Sequence, residues 1–220
     1  MSNSMVWRLI AKDLYLYRWL ILGATVAAAL SFAISPSPDG FGLRAILYIT
    51  SVVALGIFVV MYGVLKERQD KSLLFVLSLP VSPMQYGVAK LTAALIAFFF
   101  PWLAVLIATV IAITASSAAG GLPFAVALMG LFLCNFCILL AVVMITLSEV
   151  WAVAGILATN MSISAYIPFV LRLPGIAEHQ DGAVAVWTST AITIIASEVA
   201  ISVAAIALAF FVHSRKTDFV

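Results

Sequence analysis

Few side chains in this chain could do chemistry, and Glu198 is the clearest of them. It lies about eight residues inside an apolar stretch, 190–212. There a carboxyl can exchange a proton, pair with a cation or contact a polar substrate, and ionisable groups at such positions are functional candidates by default. Arg172, near the outer end of the preceding stretch, is the cation available for the second of these roles. Cys134 and Cys137 have C-x-x-C spacing inside an apolar segment, with no second ligand pair. They read as small buried hydrophobes rather than a metal site. His179 and His213 stand without partners that would make a nucleophile or a metal centre. There is no H-E-x-x-H, no G-x-S-x-G and no G-x-x-x-x-G-K-[ST], so the motifs offer no hydrolase and no nucleotide site. No catalytic, cofactor-binding or metal-binding residue is expected on this chain.

A second polar set occupies 150–171: Thr159, Asn160, Ser162, Ser164 and Tyr166. Asn160 and Ser164 are four apart, as are Ser162 and Tyr166, which places two polar stripes on adjoining helix faces. Such stripes serve helix–helix hydrogen bonding, or they line a path for a transported molecule. In the second reading Asn160, Ser164, Tyr166 and Glu198 are the pathway residues.

The elements that must position these groups are membrane spans. The 220 residues are 65% hydrophobic and 9% charged, a balance that excludes an ordinary soluble domain. At roughly 20 apolar residues per spanning helix, the spans fall at 19–35, 45–65, 91–115, 124–147, 150–171 and 190–212. The expected class is all-α: one polytopic transmembrane domain, 1–220, with six helices. Placing the N-terminus in the cytoplasm puts Arg8, Lys12, Arg18, Lys66, Arg68, Lys71, Lys90, Arg215 and Lys216 inside. Only Arg44 and Arg172 are then outside, as the excess of basic residues in cytoplasmic segments requires. Both termini are expected to be cytoplasmic. Nothing in the charge pattern implies nucleic acid.

Two flanking segments add to this layout. Residues 5–18 place Trp7, Ile10, Leu14 and Tyr17 on one helical face, with Arg8 and Lys12 on another, and read as an amphipathic helix lying in the lipid interface. The connection 66–90 opens with five charges in six residues, from Lys66 to Lys71. It continues with the apolar run Leu73, Leu74, Phe75, Val76, Leu77 and then Leu79-Pro80-Val81-Ser82. That run is too short to cross a bilayer. It reads as a short helix stopped by Pro80, followed by a helix with Ser82 as N-cap and Pro83 in its first turn. Its apolar face must bury against the membrane interface, neighbouring helices or a partner's groove. Glu149 is the sole acid of the short turn at 148–149, where it favours the following helix start or meets a partner. The outer connection 172–189 is a loop. In an alternative arrangement, 176–197 dips into the membrane as a re-entrant pair.

The stretch 66–90 resembles the first cytoplasmic loop of ABC-2-type transporter permeases. In that family a Glu-Arg pair (here Glu67-Arg68), a short apolar helix and a Leu-Pro-Val-Ser turn precede a Lys (here Lys90) opening the third span. Asp70-Lys71 stand where the family has a glycine after the pair. The resemblance implies that Arg8, Lys12, Glu67, Arg68, Leu73, Leu74, Phe75 and Leu77, with Glu149, meet a separate ATPase subunit present in two copies. It implies that ATP and magnesium belong to that partner, and that this chain is not itself an enzyme. It further implies a second copy of this permease or a paralogue, a homodimer in the simplest case, in a bacterial inner membrane. The short re-entrant helices of such permeases favour the alternative for 176–197. The layout also resembles, more distantly, the haem-exporter permease of cytochrome c maturation, with Asp70-Lys71-Ser72-Leu73-Leu74 replacing that family's Asp-Gly-Ser-Leu-Glu. A self-sufficient secondary transporter and a membrane scaffold are the readings from other classes.

Overall fold

A chain this apolar satisfies its backbone polar groups locally, and the helix is the element that does so within one segment. The computed structural model describes residues 2–31, 38–66, 83–115 and 119–215, and among them there is no strand. Helix α1 is Ser2–Ser31, and α2 is Pro38–Val60, prolonged by a π-helical turn at Met61–Lys66. Helix α3 is Pro83–Thr114, and a 3-10 turn at Ala119–Gly121 leads into α4, Leu122–Thr146. Then come α5, Glu149–Val170, the four-residue α6, Pro174–Ala177, and α7, Ser189–Ser214. Six of these helices are long and apolar enough to cross a membrane.

Their boundaries follow local rules. Pro83 opens α3 and Pro123 sits in the first turn of α4, positions that need no N–H donor. Leu147 closes α4 in the left-handed region (φ 53°), with its N–H on the Val143 carbonyl at 2.8 Å. That lets α5 start two residues later and fold back on α4. Glu149 takes the first turn of α5 and is exposed there. Thr188 caps α7, accepting from the Ala191 N–H, and its hydroxyl donates to the Gly175 carbonyl.

The structure bears on two of the expected segments. No break separates the amphipathic stretch 5–18 from the apolar stretch that follows; α1 runs unbroken through Arg18 and Trp19. No proline or glycine stands between Val6 and Leu22 to interrupt it. At 1.5 Å per residue α1 is about 45 Å long, more than a hydrocarbon core of about 30 Å. The re-entrant pair at 176–197 is also not formed. Residues 189–197 belong to the single helix that carries Glu198, and α6 is the one short helix between α5 and α7.

Helix α4 is the centre of the bundle and by far the most buried span. It packs most extensively on α7, then on α5, α3 and α2, while α1 lies against α2 and α3. Close approach of α4 and α7 is helped by small side chains, with Gly130 against Glu198 and Cys134 and Cys137 against Ser202. Outside, the bundle shows Trp19, Phe100, Ile111, Leu157, Met161 and Val203, the surface expected against lipid tails rather than water.

The starts of α1 and α3 and the end of α7 share one end of the bundle, the near end. Asp13 pairs with Lys90, and the His213 ring packs onto Gly87, where a Cβ would stand 1.7 Å from Nε2. The Asp13–Lys90 pair is buried, with Nζ 2.7 Å from Oδ2, and Lys12 approaches the other carboxylate oxygen at 3.4 Å. Removing one member leaves a buried charge without its partner, which costs about 3–5 kcal/mol. Lys90→Met is therefore expected to lower the thermal unfolding midpoint in detergent markedly, and adding Asp13→Asn to recover much of the loss. Equal midpoints for wild type and Lys90→Met would show that the pair contributes nothing.

Candidate functional site

The residues singled out in the sequence separate into three groups. Glu67, Arg68, Leu73, Leu74, Phe75 and Leu77, with most of the 66–90 connection, lie outside the described residues. Arg8 and Lys12 are exposed on α1, at the near end with Glu149. Asn160 and Ser164 are exposed on the outer face of α5, where they bond their own helix: Asn160 Nδ2 donates to the Ile156 carbonyl at 2.8 Å, and Ser164 Oγ to the Asn160 carbonyl at 3.2 Å. They are not brought to Glu198.

Tyr166 and Glu198 are brought together. The Tyr166 hydroxyl on α5 donates to Oε1 of Glu198 on α7 at 2.5 Å. Glu198 is only 5% exposed, although α7 as a whole is largely uncovered. The α7 residues Ala191, Glu198, Ser202 and Ala209 share a seven- and four-residue spacing, so the carboxyl is carried on the one face that packs into α4. Room for it comes from Gly130 of α4, where a Cβ would stand 2.2 Å from Oε2. Ser202 donates to the backbone carbonyl of Glu198 at 2.8 Å and does not reach the carboxyl. Oε2 is buried with no hydrogen-bond partner. The candidate partner Arg172 is exposed in the turn after α5, and no ion pair forms at Glu198 among the described residues. The reason is distance along the helix. Glu198 is the tenth residue of α7, about 14 Å from its start by helical rise, whereas Arg172 lies beyond the end of α5.

Sequence reasoning missed three groups that the fold uses. Asp13 is the first; its signal was its place among Ile10, Leu14 and Tyr17 on the inward face of α1. The second is Asn135, whose amide on α4 pairs with Ser162 of α5 (Nδ2 to Oγ, 2.9 Å) on the floor of an open groove of about 430 Å³ walled by Ile138, Val142, Trp151, Ala154 and Ala158. Third is a chain through Tyr48, whose hydroxyl meets Thr109 at 2.9 Å and the Met129 sulfur at 2.8 Å, beside Trp102, whose Nε1 donates to the Met129 carbonyl at 2.8 Å. Cys134 and Cys137 are free thiols buried on α4. Among the described residues no three His, Cys, Asp or Glu side chains cluster as metal ligands do.

Six spanning helices, an apolar exterior and polar groups paired between helices define a multi-pass membrane protein of all-α build. No known protein family, curated protein or solved structure matches the chain.

The Gly130–Glu198 contact makes a direct prediction. Gly130→Ala forces the new methyl into Oε2 and is expected to cost about 1–3 kcal/mol, the usual penalty for overfilling a packed site. Most of that cost should vanish in a Glu198→Ala background, measured as thermal unfolding of the four proteins in one detergent. Simple addition of the two single costs would mean the residues do not meet.

Proposed function

We propose that this chain is the membrane-spanning subunit of an ABC-2-type exporter in a bacterial cytoplasmic membrane, driven by a separate ATPase that docks on the 66–90 connection. The observation that carries the reading is that connection's sequence. A water-requiring run, Lys66 to Lys71, is followed by an apolar segment too short to span and then by the Leu79-Pro80-Val81-Ser82 turn. Such a segment presents Leu73, Leu74, Phe75 and Leu77 to a groove on another protein.

The bundle supports the reading by where it anchors that connection. The connection leaves α2 through a π-helical turn, a departure from regular helix that is frequent at functional sites. It re-enters at Pro83, one helical stretch before the buried Lys90. Tyr17 of α1 donates to the Tyr62 carbonyl on the incoming flank at 3.0 Å, and Asp13 of α1 holds Lys90 on the outgoing flank. A push on the connection therefore reaches α1, α2 and α3 through specific bonds. Exposed Arg8, Lys12 and Glu149 share the near end and extend the docking surface. In this reading the near end is the cytoplasmic one, in line with the excess of basic residues expected there.

In the mechanism, ATP binding closes the partner's two nucleotide-binding copies, the 67–79 segment moves with them, and the spans tilt as packed units. A second copy of the chain completes the pathway. The exposed Asn160 amide supports this, because its carbonyl oxygen and second N–H, beyond the bond to the Ile156 carbonyl, find no match in hydrocarbon but do on a facing polar helix. One observation favours a second reading: a buried carboxyl well inside a span is also what a self-sufficient secondary transporter uses.

Affinity purification from native membranes in mild detergent tests the proposal. The chain is expected to bring down a stoichiometric ATPase with vanadate-sensitive hydrolysis. Phe75→Asp should abolish that association at least tenfold while membrane insertion is unchanged. A homo-oligomer without a nucleotide-binding partner would move the assignment to the secondary transporter.

A further inference from the structure

Glu198 poses a charge problem that its surroundings do not solve. A carboxylate needs donors or a cation when it leaves water. Here Oε1 has one donor, the Tyr166 hydroxyl, and Oε2 has none. No Lys, Arg or His nitrogen of the described residues reaches it. From α4 the facing groups are Gly130 and the Cys134 thiol, from α5 the Tyr166 phenol, and on α7 itself Ser202 is committed to backbone. A hard metal cation would require six or more oxygen ligands, and among the described residues no three His, Cys, Asp or Glu side chains cluster to supply them.

We propose that Glu198 is a proton-binding site inside the bundle, with the proton on Oε2 and the Tyr166 hydroxyl bonded to Oε1. A neutral carboxylic acid has the right inventory: its carbonyl oxygen accepts from Tyr166, and its hydroxyl is short and uncharged. An unpartnered neutral hydroxyl costs far less than an unpartnered charge. Gly130 supplies the space for that hydroxyl against α4. Tyr166 is a positioning residue, holding the carbonyl oxygen so that the protonated one turns to Gly130. The proton is retained while α4, α5 and α7 remain packed. Any rearrangement that parts them and admits water releases it. This inference needs only that the helices span a membrane; it does not depend on what drives them or what they move.

Infrared spectroscopy of the purified protein in lipid, compared with Glu198→Gln and Tyr166→Phe, tests it without any transport assay. Wild type is expected to show the stretching band of a hydrogen-bonded neutral carboxyl, lost in Glu198→Gln. Tyr166→Phe is expected to keep the band and move it to higher frequency, because the bond to the carbonyl oxygen is gone. A wild-type-minus-Gln difference containing carboxylate bands instead would overturn the proposal. So would a band left unmoved by Tyr166→Phe. If Glu198→Gln fails to fold, the wild type and Tyr166→Phe comparison decides alone, absence of a neutral-carboxyl band in both being the contrary result.

Discussion

A polar group inside an apolar bundle has no water to fall back on, and in this protein the polar contacts between helices are arranged around that constraint. Among the described residues, specific bonds join the helices. Asp13 meets Lys90, Tyr17 meets the Tyr62 carbonyl, Tyr48 meets Thr109, Trp102 meets the Met129 carbonyl, Asn135 meets Ser162, and Tyr166 meets Glu198. Between helices that are otherwise greasy on all sides, dispersion alone favours many registers and rotations about equally. Each bond removes that freedom for one pair. Together they fix α1 to α2 and α3, α2 to α3, α3 and α5 to the central α4, and α7 to α5.

The bonds also divide the bundle by role. At the near end they hold α1 to α2 at Tyr62 and to α3 at Lys90. Toward the far end the loop 171–188 is tied down by the Gly120 N–H on the Gly182 carbonyl at 2.7 Å and by Thr188 on Gly175. There α5 and α7 are joined across α4 by the Tyr166–Glu198 bond. The Asp13–Lys90 pair at one end and the buried Glu198 carboxyl toward the other are linked by α4, which touches α2, α3, α5 and α7. That geometry suits a protein whose spans move as units.

Much of this was legible in the sequence, for physical reasons that can be named. The six spans followed from length and apolar composition, and the start of α3 at Pro83 followed from a proline suited to a first turn. Glu198 stood out because a carboxyl inside a span is expensive. Its contact with Tyr166, by contrast, depends on how α5 and α7 are rotated about α4, and neither helix shows that rotation in its apolar pattern. Nearly every position of α4 is apolar, so its periodicity names no inward face. The same ambiguity hid Asn135 and placed Asn160 and Ser164 beside Glu198 when they face outward. Asp13 was missed for a different reason. In a stretch with Arg8, Lys12 and Arg18 an acid reads as one more surface charge, and only the buried Lys90, 77 residues on, shows otherwise.

The central claim is that a nucleotide-binding protein grips the 66–90 connection from the near end. A photo-activatable amino acid at position 75, irradiated in intact native membranes, tests this most directly. The account predicts a cross-link to one nucleotide-binding chain, with a yield that changes when ATP is trapped by vanadate. Cross-links to lipid or to another copy of this chain, with no nucleotide-binding partner, would contradict it.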